Sequence, residues 1–301
     1  MDLPTRTAMG QALRTLALKE MDPSLLTFAI LRESAEQGVD VATLTEAMEL
    51  AAYLHRDDVR SVRGQMPVDA YVTHPFRLVL RLLRYGCRDG AVLCAAALHD
   101  TVEDHPTELV ALLDGPPSDP APSPPPPAGS ATAPLDPRPL PAGSATATTA
   151  SDPRSAPAGS ATAAAASEQD RAVEALAEAF GPDVARIVRA VTNLPQPPGL
   201  DEAQRHGAYV AHVGEEIADP QVFLVKFADF VDNAGSLQHL ADDDRRARME
   251  RKYAPLVPLL RSALAAHQPS LGVDPDGLTQ MHDHLDAIAD RLTPDQPTPI
   301  V

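Results

Sequence analysis

The sequence predicts an all-α protein, and three observations carry that expectation. Segment after segment repeats its apolar residues at helical spacing, no stretch alternates apolar with polar residues as a half-buried strand would, and Gly, Pro or Asp stands at the segment borders. The architecture that follows is a compact helical bundle whose helix ends and faces converge on a site.

The elements follow in order. Residues 1–22 carry no sustained pattern and are expected to be loosely ordered. Helices are expected over 25–37 and 41–56, then over 75–85, where Pro75 suits the first turn. Residues 89–104 read as one helix whose small apolar start, Gly90 to Ala97, can be packed on several sides. That helix ends in Leu98-His99-Asp100-Thr101-Val102-Glu103-Asp104, one imidazole and three carboxylates within two turns. Buried carboxylates are costly unless compensated, and a bound cation is a direct compensation. After a short helix from Pro106 to Leu113 comes an insertion over 115–167, with Pro124 to Pro127 and three copies of Pro-Ala-Gly-Ser-Ala-Thr-Ala beginning at Pro127, Pro141 and Pro157. It has almost no large apolar side chains to offset its ordering entropy, so disorder is the expectation. Further helices are expected over 167–180, 182–192, 202–217, 220–240, 244–267 and 275–292, with a loose Pro-rich tail over 293–301. One domain is therefore expected in two parts, 23–114 and 168–292, on either side of the insertion.

Composition bounds the function. A net charge of −17, from 42 acidic and 25 basic residues, argues against a general nucleic-acid binder. No apolar run would span a bilayer and the first ten residues lack a secretory layout, so a cytoplasmic protein with no membrane contact is expected. Cys87 and Cys94 form no disulfide framework and read as small core residues. An anionic small substrate would need a local positive field. Arg77, Arg81, Arg84 and Arg88 draw a basic stripe that could supply it, although a solvated helix face is the plainer reading.

Three segments carry chemistry: YVTHP at 71–75, HDTVED at 99–104 and KFADFVDNAGSL at 226–237. In the last, Asp229, Asn233 and Ser236 share one helix face. In that order the motifs resemble the HD-domain phosphohydrolases, and more narrowly the hydrolase half of the RelA/SpoT family, over about residues 40 to 240 apart from the insertion. The stretch 180–192 also resembles the family's link between its second and third motifs. The resemblance implies an HD-domain bundle in which His74, His99, Asp100 and Asp229 hold a divalent metal, most readily Mn by the family match. A mixed nitrogen and oxygen set without thiolate alone admits manganese, iron or zinc. It implies further that Glu103 and Asp104 manage the protons of the attacking water. For the substrate it points to Arg60 and Arg63, before five extra residues 65–69, and to Asn233 and Ser236. Phe230-Val231-Asp232 stands where the family has Arg-Leu-His, and Asn193 where it has Lys, so the substrate-facing shell departs from the pattern.

The function implied is removal of the 3′-pyrophosphate from guanosine tetra- or pentaphosphate, as in the small hydrolase-only members. Two alternatives stay open: an HD phosphohydrolase acting on another nucleotide or phosphoester, and a non-catalytic HD module that binds a nucleotide or a partner. The sequence gives no reading of the oligomeric state. His282-Asp283-His284 reads as an exposed polar face, His55, His206, His212 and His239 receive no role, and Asp242 to Asp244 are expected to cap the helix that follows.

Overall fold

A computed structural model describes residues 3–59, 70–114, 158–193, 199–240 and 242–292. Arg60, Arg63, most of the insertion and the tail over 293–301 lie outside the described residues. Among those described there is no strand, only an isolated antiparallel bridge between Val59 and Ala70. The bridge closes the base of a loop and delivers Tyr71 and His74 to the start of a helix.

The helices are α1 (Leu3–Thr15), α2 (Pro23–Gln37), α3 (Val41–Leu54), α4 (Thr73–Arg84), α5 (Gly90–Leu98), α6 (Thr101–Asp104), α7 (Pro106–Leu113), α8 (Ala158–Phe180), α9 (Pro182–Val191), α10 (Glu202–Glu216), α11 (Pro220–Ala234), α12 (Asp243–Tyr253), α13 (Leu256–His267) and α14 (Pro275–Leu292). Aspartate starts many of them. Asp22, Asp40, Asp89, Asp201, Asp219 and Asp242 each accept from a backbone N–H of the first turn, which satisfies donors the helix itself leaves open. Asp242 thus caps α12 as the acidic run suggested.

The centre of the bundle is α4, whose residues from Thr73 through Leu83 are all buried. It packs against α2, α5 and α11, while α5 packs also against α3 and α9. Helix α5 is apolar throughout and buries Val92, Leu93 and Leu98 completely. Each such side chain contributes about 1.5–3 kcal/mol. Cys87 and Cys94 are buried core residues whose thiols burial pushes up to about 12, so neither is poised to react.

Several expectations change. The basic stripe is not a solvated face: Arg77 is 1% exposed and Arg81 is buried, both because they meet the carboxylate of Asp232 on α11. Only Arg88 at the end of the stripe is exposed. The expected helix over 89–104 is broken at His99 and Asp100 into α5 and α6. The helix expected over 244–267 breaks near Pro255, whose ring cannot sit inside a continuous helix. Residues 1–22, expected to be loose, include α1 and a 3-10 turn at Leu18–Glu20. Arg14 pairs with Glu36 at 2.6 Å, Arg84 donates to the Leu13 carbonyl at 3.0 Å and Lys19 reaches Asp232, which tie this start to the bundle. Helix α8 begins at Ala158, inside the third repeat copy, because an alanine-rich run extends a helix already anchored by buried Ala172 and Leu176. His284 is half-buried, its Nδ1 2.7 Å from the Tyr85 hydroxyl, and so is not part of an exposed face.

Candidate functional site

The ends of α4, α5 and α11 bring together the residues singled out by the three motifs. His74, in the first turn of α4, directs Nδ1 to Asp232 Oδ2 at 2.9 Å. Since Asp232 is a carboxylate, Nδ1 donates to it, and Nε2 is the nitrogen turned to the other motif residues. His99, just past α5, places Nδ1 3.0 Å from the Ala96 carbonyl, a bond only a protonated Nδ1 can make. Its buried Nε2 faces Asp100 Oδ2 at 2.9 Å, an ion pair in the ion-free protein. His74 Nε2 lies 3.1 Å from Asp229 Oδ1 and 3.8 Å from Asp100 Oδ2. Ligand atoms of His74, His99 and Asp229 all fall within 4.8 Å of one another. The Nε2 atoms of two buried imidazoles and the Asp229 carboxylate, with Asp100 beside them but outside that close group, are a donor set that fits a divalent cation taking the place of protons.

The electrostatics agree. Burial opposes ionisation of Asp100 and Asp229, yet the neighbouring imidazoles and, for Asp100, the Tyr71 hydroxyl hold both below the usual carboxylate range. Burial pulls the His99 imidazole down, but the charges of Asp100 and Asp229 outweigh it and lift the group to about 9. The same negative field that draws a proton there draws a dication.

The site opens on a cavity of about 150 Å³, lined by Tyr71, His74, His99, Asp100, Asp229 and Asn233 on the motif side. The rest of the lining includes Asn193, Lys226, Lys252, Tyr209 and Tyr253, with Lys226 on α11 one turn before Asp229. Lys226 Nζ donates to the Val191 carbonyl at 2.6 Å, and Lys252 Nζ sits 4.4 Å from the centre of the Tyr209 ring. Lys226 opens the third motif, whereas Lys252 was not read from the sequence. Lys252 lies in a run of arginines that looks like an ordinary solvated helix face, and only the packing of α12 on α11 turns it inward.

Other expected site residues fall differently. Asn233 lines the cavity and donates to Asp229 Oδ1 at 2.6 Å. Ser236, expected to face the nucleotide, is not among the lining residues, because its hydroxyl turns back to the Asp232 carbonyl one helical turn earlier. Glu103 and Asp104 also lie outside the lining set, on the exposed side of α6. Glu103 is held at the rim by Asn193, whose backbone N–H and side-chain amide both donate to Oε2 at 3.0 and 2.9 Å. Burial, then the charges of Asp100 and Glu103, push the Asp104 carboxyl up to about 6.

Asp232 matters most among the residues sequence reasoning misjudged. Its substitution for the family's histidine reads as a loss of ionisable chemistry, but the carboxylate is 0% exposed and central. It accepts from His74, from Arg77 Nε and Nη2 at 2.9 and 3.1 Å and from Arg81 Nη2 at 3.2 Å, and pairs with Lys19 at 2.8 Å. Burial opposes that charge, and the Arg77 guanidinium, His74 and Lys19 hold it well below the usual range.

An all-α bundle that gathers histidines and aspartates from three ordered motifs on one cavity is the arrangement expected from the sequence's resemblance to the HD-domain phosphohydrolases. Compared directly, the chain is 43% identical over 74 residues to guanosine-3′,5′-bis(diphosphate) 3′-pyrophosphohydrolase MESH1 of Mus musculus, and equally so to that of Homo sapiens. Each match covers 24% of this chain and 39% of the relative, so the chain matches about two fifths of the curated relatives' length. A solved structure described as "A metazoan ortholog of SpoT hydrolyzes ppGpp and plays a role in starvation responses" is 21% identical, with a TM-score of 0.48 over 83% of this chain and 95% of that one. No family model matches the chain. Among the described residues no helix is long and apolar enough to cross a membrane.

Proposed function

We propose that the chain is a divalent-metal-dependent hydrolase that removes the 3′-pyrophosphate of guanosine tetra- or pentaphosphate, giving GDP or GTP and pyrophosphate. The observation that carries this reading is the convergence of His74, His99, Asp100 and Asp229 on a cavity that Lys226 and Lys252 also line. His74, His99, Asp100 and Asp229 would hold the cation, Mn by the family resemblance. The cation supplies a Lewis acid and acidifies water. Asp232 fixes the tautomer and angle of His74, as a carboxylate behind a ligating imidazole does. Water adds to the phosphorus next to the ribose 3′-oxygen, the bond from that phosphorus to the 3′-oxygen breaks, and the oxygen ends protonated. Asp104, with a carboxyl near 6, and Glu103, kept at the rim by Asn193, exchange the protons of this step. Lys252 and Asn233, which line the cavity, contact the nucleotide, and by the family resemblance Arg60 and Arg63 take the part of its basic pair.

A second reading, an HD hydrolase for a different nucleotide, draws on Ser236 bonded back to the Asp232 carbonyl and on Asn193 committed to Glu103. The test is to incubate Mn-loaded protein with guanosine tetraphosphate, a panel of other nucleotides and a generic phosphodiester, beside Asp100→Ala. Pyrophosphate released from the guanosine tetraphosphate alone, and abolished in the variant, is the expected result. Turnover of other nucleotides in its place would transfer the assignment to the second reading, and nucleotide binding without any turnover would leave a binding module.

A further inference from the structure

Away from the first site, His55, Asp58 and His105 form another group whose ligand atoms all lie within 4.8 Å of one another. His55 closes α3, Asp58 sits in the turn that follows, and His105 is the joint between α6 and α7. His55 Nδ1 and His105 Nε2 each stand 2.7 Å from the same Asp58 oxygen, Oδ2, with their rings edge to face at 4.8 Å. We infer that these three side chains bind a second divalent first-row transition cation, distinct from the one proposed beside His74.

Four features point there. Two imidazoles and one carboxylate are a donor set for zinc, iron, cobalt or manganese. Their spacing, two ligands three residues apart and a third distant in sequence, makes a local half-site that a separate element completes. The backbone holds them in place: the Asp58 N–H donates to the His55 carbonyl at 3.1 Å, and the Asp58 carbonyl accepts from Tyr71 at 3.0 Å. The surroundings are acidic as well, since Asp57 and Glu108 lie at the rim and Asp104 is close enough to feel Asp58, while Arg56 beside them is engaged by Glu108 and Asp57.

Around an ion with bonds of about 2.0–2.1 Å, neighbouring tetrahedral ligands stand about 3.3 Å apart. The two 2.7 Å hydrogen bonds would therefore open by roughly half an ångström as their protons leave, and half-buried Asp58 and His105 can give way by that much. The site does not merge with the first one. Tyr71 stands between them, its ring 4.6 Å from His55 and its hydroxyl on Asp100. A shared two-ion clamp needs a separation of about 3.5–4 Å. The second ion instead pins the end of α3 to the corner that carries Glu103 and Asp104.

The full chain, stripped with a chelator and dialysed, is titrated with Zn²⁺ while stoichiometry is read by native mass spectrometry and calorimetry. Wild type is expected to take two equivalents, and His105→Ala and Asp58→Asn one each. His74→Ala is also expected to keep one, because it touches only the first site. A single wild-type equivalent that survives in His105→Ala and disappears in His74→Ala overturns the proposal. A single equivalent with the opposite pattern upholds it and removes the metal site of the proposed hydrolase, so the two claims fail separately. Should the variants not fold, imidazole ¹⁵N spectra of wild type decide: Zn²⁺ shifts the His55 Nδ1 and His105 Nε2 resonances if the site binds, and unmoved resonances overturn it.

Discussion

Asp232 links two sequence features that looked unrelated, an arginine stripe on α4 and a departure from the family motif on α11. One buried carboxylate answers Arg77 and Arg81 and orients His74. Asp232→Asn is expected to weaken metal binding about 10- to 100-fold, the cost of losing a carboxylate behind a ligating imidazole. It should also destabilise the fold by about 3–5 kcal/mol, because the Arg77 charge is left buried and unpaired. Metal titration and denaturant unfolding of the same variant measure the two effects. Asp104 predicts a pH effect of definite sign. In the metal-free protein its carboxyl is raised from 3.8 to about 6, so between those values the folded chain keeps a proton that the unfolded chain has released. Its contribution to stability therefore declines as pH rises through that window and levels off above it. Asp104→Asn should remove that decline in unfolding curves taken from pH 4 to 7, while lowering turnover by about 10²- to 10⁴-fold. The ligand quartet was legible in the sequence because its chemistry is carried by local motifs. Asp232 was not, because its meaning depends on arginines some 150 positions away.

At the scale of elements, most helix starts were legible, since an aspartate caps so many of them. The break at His99 and Asp100 was not, because the residues around it include neither Gly nor Pro and nothing local interrupts the helical pattern. The structure ends α5 where the imidazole takes the Ala96 carbonyl and the Thr101 hydroxyl takes the Leu98 carbonyl, and this turn lets His99 and Asp100 face the cavity together. Helix α4, which carries His74, is clamped at its other end by α14. A Cβ on Gly277 would stand 2.0 Å from the Tyr85 carbonyl oxygen, and the Asp274 N–H bonds to that same oxygen at 2.9 Å. Gly277→Ala is expected to cost at least about 1–3 kcal/mol by overpacking. A lowered thermal midpoint would bear this out, and an unchanged one would contradict it.

For the whole molecule, the two parts of the bundle meet where the insertion leaves and returns. Helix α7 packs on α8, with the Thr107 hydroxyl 3.2 Å from Glu168, so a short connection could join them. Loop-closure entropy varies slowly with length. Replacing residues 116–157 with a short Gly-Ser linker is expected to leave metal affinity and turnover within about twofold, by the same slow dependence. A larger loss would give the insertion a part in the site. The overall class was legible because helical periodicity recurs along the chain, whereas Lys252 joins Lys226 at the cavity only when α11 and α12 pack.

The central claim is that His74, His99, Asp100 and Asp229 hold the ion on which hydrolysis depends. Its most direct test measures pyrophosphate release from guanosine tetraphosphate by chelator-stripped protein as Mn²⁺ is added back, for wild type and Asp229→Ala. The account predicts no release without metal, recovery in wild type as the ion binds, and none in the variant at any concentration. Release from stripped protein, or equal recovery in Asp229→Ala, would contradict it.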